Sequence, residues 1–73
     1  MELHAVESSR IKKMGYDPAT EELVVQFKKG GVYKYSGVSK AVYAVLISAP
    51  SLGSTFQTMI VNNKNITYER IDT

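Results

Sequence analysis

A chain of 73 residues, 44% hydrophobic and 22% charged, has apolar side chains for one core and not two, so it reads as a single globular domain over residues 1–73. It has no cysteine, which excludes a disulfide framework and fits a cytoplasmic setting, and nine Lys/Arg against seven Asp/Glu leave a formal +2 that favours a phosphate-bearing partner without demanding one. So small a chain buries only about 60% of the surface its unfolded form exposes, and with no disulfide or metal cluster to staple it, pairing with a second copy is a reasonable expectation.

Residues 1–7 show no periodicity and read as a flexible segment; they start acidic, carry no apolar run of signal-peptide length, and hold the only histidine, His4, with no nucleophile identifiable beside it. Ser8, Ser9 and Arg10 follow. Their two hydroxyls and guanidinium can serve an anion, or the serines can simply cap the start of an apolar strand over residues 11–16. Asp17-Pro18 starts a turn, which explains the aspartate better than a role as an acid. Residues 22–28 then alternate, with Leu23, Val25 and Phe27 on one side and Glu22, Gln26 and Lys28 on the other. "KKGG" reverses the chain into a hairpin partner over residues 32–36.

From Ser39, a suitable N-cap, the spacing becomes helical, with Ala41, Val42, Val45, Leu46 and Ala49 as the apolar stripe and Pro50 as the stop. The longest apolar run, residues 41–47, is too short to cross a bilayer. Ser51 can cap a second helix that buries Leu52, Phe56, Met59 and Ile60. "NNKN" reads as a turn, and residues 66–71 as a last strand on the sheet edge. The expected fold is α+β: a small antiparallel sheet of three to four strands with two helices packed on one face.

The hairpin decides what Tyr33 and Tyr35 do. A Gly30-Gly31 loop sets Tyr33 opposite Lys28 and Tyr35 opposite Gln26, on the open face of the sheet. A Lys28-Lys29-Gly30 loop, a type I turn with Gly30 left-handed, sets them opposite Val25 and Leu23, in the core, with Lys34 outside. The hydrophobic pattern favours the second, since the first turns Lys34 and Ser36 toward the helices.

Several features occur in a specific order: Ser8-Ser9 before an apolar strand, "GYD" at Gly15 to Asp17, Tyr33-x-Tyr35, Val42-Tyr43, and Ala49-x-Ser51-x-Gly53, with Tyr68 and Ile71 in the tail. In these the chain resembles the KTSC domain, named for its place at the C-terminus of some lysyl-tRNA synthetases. It departs from the family pattern at Ser39, where proline is typical, and Gln57, where asparagine is common. The resemblance implies a domain without an established activity, found also alone in bacterial and phage proteins, for which RNA binding is suggested. Carried onto this sequence, RNA falls to Tyr33 and Tyr35 as stacking or hydroxyl partners and to Lys34, Arg10 and Lys12 as phosphate contacts, because such a site needs cations for phosphates and aromatic platforms for bases. Ser8 and Ser9 are further candidates, as is Ser51, whose helix start with Gly53 and Ser54 can present N–H groups to a phosphate or be plainly capped. Asn65-Ile66-Thr67 matches the glycosylation sequon, which without a secretory signal reads as coincidence.

Three function classes follow. One is a non-catalytic nucleic-acid module, RNA first; another, a small oligomer that sequesters a nucleotide-like molecule. The third is a protein-interaction domain using Tyr43, Ile47 and Val24 as an apolar patch. An enzyme is disfavoured for want of a paired acid and base, and neither cofactor nor metal is expected.

Overall fold

The computed structural model describes residues 2–72. Strands β1 (His4–Ala5), β2 (Ile11–Asp17), β3 (Glu22–Phe27) and β4 (Val32–Ser36) are followed by helices α1 (Lys40–Ser48) and α2 (Leu52–Phe56), and the chain closes with β5 (Thr67–Arg70). The five strands form one antiparallel sheet in the order β1-β2-β3-β4-β5. Both helices lie over one face, as the alternation of Leu23 and Val25 predicts, and the core joins Ile11, Met14, Leu23, Val25 and Tyr35 of the sheet to Leu46, Phe56 and Ile60 above it.

The sheet has one strand more than the sequence pattern predicts: β5 falls within the last strand expected over residues 66–71, and the addition is β1 at the opposite edge. The segment read as flexible instead contributes β1, which pairs His4 with Met14 and Ala5 with Lys13. Two residues are too few to show a period, and their order comes from β2 beside them. Gly15 belongs to the same docking: a Cβ there lies 2.6 Å from Glu2 O and 2.8 Å from Leu3 Cδ2, so only glycine lets the N-terminal segment approach. In β2 the buried residues Ile11 and Met14 are out of phase for a simple strand, and a register shift between Ile11 and Lys13 reconciles them by absorbing the extra residue.

The hairpin follows the second of the two expected registers. Val25 faces Tyr33, Leu23 faces Tyr35, and Phe27 N–H donates to Gly31 O at 3.1 Å, which leaves Lys28-Lys29-Gly30 as the loop. Gly30 is not left-handed as expected, since Gly37 is the glycine with positive φ among the described residues. The loop is instead held from the neighbouring strand, where Lys28 N–H donates to Arg10 O at 2.9 Å.

Ser39 caps α1 by accepting from Val42 N–H at 3.2 Å, the N-cap role the sequence suggests for it. The α1 stripe is rotated from the expected one. Leu46 is buried and Val42 half-buried, but Val45 is 53% exposed and Ala41 is exposed, because Tyr43 takes the inner face and stacks on Tyr16 with ring centroids 4.3 Å apart. Tyr16 O–H donates to Val38 O at 2.6 Å and ties β2 to the start of the helical layer. α2 continues without a break into a π-helical stretch, Gln57–Val61, closed by Asn62 N–H donating to Gln57 O. Phe56 and Ile60 are buried along it, as the spacing predicts.

The link from sheet to helices depends on Gly37. Its φ is 92°, its N–H and that of Val38 both donate to Glu21 O, and a Cβ there lies 3.1 Å from Asn65 O. Gly37→Ala is therefore expected to lose about 1–2 kcal/mol, read from the midpoint of a urea unfolding curve.

Candidate nucleic-acid interface

Tyr33, Tyr35 and Tyr68 share the helix-side face, because Tyr33 pairs with Arg70 and Tyr35 with Tyr68 across β4 and β5. The helices do not cover this end of the sheet fully. Between the β4–β5 edge and the end of the α2 segment lies a recess of about 450 Å³ lined by Phe27, Tyr33, Tyr35, Tyr68 and the aliphatic Ile60, Val61 and Ile66. Tyr35 forms its floor, 6% exposed and edge-on to Phe56 at 5.3 Å, while Tyr68 stands 68% exposed at the rim. Phe27 packs edge-on against both Tyr33 and Phe56, which fixes the wall between them.

Phe27 is also a wall of a second hollow, about 300 Å³, formed with Ser9, Arg10, Lys28, Lys29 and Gly30 at the hairpin end. Ser9 and Arg10 in turn line a third, about 220 Å³, with Ser8, Ser51, Gly53 and Ser54. The two serine clusters that the sequence offers separately thus meet. Gly53 sits at their meeting point, its Cβ position at ordinary van der Waals distance, 3.6 Å from Ser8 Oγ and 3.7 Å from Arg10 Cδ. Ser8 Oγ accepts from the N–H groups of Arg10 and Ile11 and so caps the start of β2. Ser51 stands at the N-cap position of α2 without a side-chain capping bond.

Not every candidate joins this strip. Lys34 pairs with Val24 on the opposite, open face, where it is clamped between Glu22 at 3.3 Å and Glu69 at 3.1 Å. The hydrogen bonds to Glu69 and Glu22 hold its ammonium above the ordinary lysine value, so its charge is already neutralised locally. Lys12 is exposed at the β2 register shift. Ion pairs among the described residues engage Lys34 and Arg70, the latter with Asp72 at 2.7 Å; Arg10, Lys28 and Lys29 form none, although Glu7 lines the hollow beside Arg10. The apolar trio of the interaction reading is dispersed: Tyr43 is stacked on Tyr16, Ile47 is 57% exposed on α1, and Val24 lies on the other face of the sheet.

Phe27, Lys28, Lys29 and Tyr68 are the strip residues that the sequence pattern places in strand, turn and tail without giving them a binding role. Burial pushes the Tyr35 hydroxyl up from 10.0 to about 12, with Tyr33 and Tyr68 adding to the effect. Between those two values the unfolded chain gives up a proton that the folded chain keeps, so stability is full below pH 10 and falls as pH rises toward 12. Tyr35→Phe is expected to flatten that decline in melting temperature without abolishing it, because burial also raises Tyr16.

One antiparallel sheet layered by two short helices, with hollows along the edge of that layer, defines a small two-layer α+β domain; none of its described helices is long and apolar enough to cross a membrane. The chain belongs to the KTSC domain family, whose model matches residues 7–63. It is similar to the crystal structure of a KTSC domain protein from Yersinia pestis, with a TM-score of 0.85, 34% identity and 96% of each chain covered. It is 37% identical over 68 residues to an uncharacterised protein of Stutzerimonas stutzeri, covering 93% of this chain and 94% of that one. It is also 39% identical over 54 residues to the lysine–tRNA ligase of Nostoc punctiforme, which is 74% of this chain but 10% of the ligase.

Proposed function

We propose that this chain is a non-catalytic module that binds nucleic acid, RNA in the first instance, through the strip running from Arg10 to Tyr68, in the cytoplasm. The observation that carries this is the double role of Phe27, whose ring bounds both the hollow of Arg10, Lys28 and Lys29 and the recess of Tyr33, Tyr35 and Tyr68. Unpaired cations beside an aromatic platform supply the two interactions a nucleic acid needs, neutralised phosphates and stacked bases. A tenth of a lysine–tRNA ligase resembles this domain, and that enzyme's name places tRNA among its substrates. The test is fluorescence anisotropy of a labelled RNA oligonucleotide at rising salt. Binding that weakens steeply with salt supports the reading, and no binding at low salt overturns it.

A second reading rests on the recess itself, whose volume of about 450 Å³ falls within the size range of small-molecule pockets. Here a homo-oligomer holds a nucleotide-like molecule and keeps it from solution. Saturable binding of a mononucleotide, little changed by salt, distinguishes it.

A further inference from the structure

Resting on the nucleic-acid reading, we infer that the ligand is single-stranded where it meets the protein, with one unpaired base taken into the recess against Tyr33 and Tyr68 while adjacent phosphates lie over Arg10, Lys28 and Lys29. The recess is concave and lined by four aromatic rings and three aliphatic side chains, and its floor is sealed by Tyr35. A base inside a duplex shows only its edges to a protein and is covered on both planes by its neighbours, so it has no face to offer such a site. An unstacked base does, and it can lie flat on the ring of Tyr68, which is 68% exposed and is braced from behind by Tyr33, with the two ring centroids 6.0 Å apart and tilted by 51°.

Charge sets the direction of the strand. On the hairpin side of Phe27 the free cations gather, whereas Arg70, paired with Tyr33 across the strands, is already bonded to Asp72, whose carboxyl is held below the usual range by that guanidinium. Phosphates are therefore drawn across Phe27 toward Arg10 and the hairpin loop, and the base is left at the β5 edge.

The test compares one labelled RNA oligonucleotide, single-stranded and annealed to its complement, by anisotropy at equal salt. The single strand is expected to bind at least about ten-fold tighter. Tyr68→Ala is expected to erase that preference, and Tyr68→Phe to retain it. Tyr68 is 68% exposed on an edge strand, and an unshifted melting temperature confirms that each variant is folded. Equal binding of single strand and duplex, or a preference that survives Tyr68→Ala, overturns the inference while leaving nucleic-acid binding in place. Failure of both RNAs to bind the unmodified protein overturns the underlying reading as well.

Discussion

Leu23→Ala is expected to cost about 2–5 kcal/mol, a large part of the roughly 5–15 kcal/mol that holds a small domain together, and to lower the melting temperature by more than about 10 °C. Leu23 is 0% exposed at the centre of the sheet, between Tyr16 of β2 and Tyr35 of β4 and beneath the helical layer. Truncating it leaves a cavity bordered by tyrosines that β-sheet hydrogen bonds hold in place, so the surroundings have little freedom to collapse. Leu46→Ala removes the matching anchor from α1, also 0% exposed, and is expected to behave alike. Val45→Ala, one position away on the same helix, is expected to stay within about 0.5 kcal/mol. Urea unfolding of the three variants checks this, and a loss at Val45 equal to that at Leu23 contradicts the packing.

Val45 also shows where the sequence is legible and where it is not. The β3–β4 hairpin is readable because alternation of Leu23, Val25 and Phe27 admits one register, and a slip by one residue carries every side chain to the wrong face. The same alternation puts Lys34 on the face opposite Tyr33 and Tyr35. In α1, by contrast, aliphatic spacing selects Val45, and what turns the helix is a tyrosine whose ring is apolar enough to bury and whose partner, Tyr16, lies far away in the chain. The edge strand β1 carries too few residues to show a period, whereas β5 falls within the edge strand expected over residues 66–71 even though all four of its residues are exposed.

The candidate site divides along the same line. Arg10, Ser8, Ser9 and Ser51 stand out by local composition, and the fold gathers them around shared hollows. Lys28 and Lys29 read locally as turn residues. Their place beside Arg10 depends on β2 and β3 being aligned so that Lys28 N–H meets Arg10 O, which is a property of the sheet and not of either segment. Tyr68 joins Tyr33 and Tyr35 only because β5 returns to β4.

That alignment makes the charges separable by experiment. Replacing Arg10, Lys28 and Lys29 together by alanine is expected to weaken RNA binding by about ten- to a hundred-fold at low salt. It is also expected to reduce the slope of log affinity against log salt by about 2, since each lost phosphate contact on a single strand removes about 0.7. Replacing Lys13, Lys34 and Lys40 removes the same formal charge from elsewhere on the molecule, so it carries whatever effect net charge alone has. It is expected to leave the slope nearly intact, because Lys34 is already spent on Glu22 and Glu69 and releases no counterion when RNA arrives. Equal slopes for the two triple variants make the attraction a matter of overall charge. A slope lost with the Lys13, Lys34 and Lys40 set alone moves the ligand away from Phe27 altogether. Only a slope that follows Arg10 and the hairpin loop fits phosphates lying beside the aromatic recess.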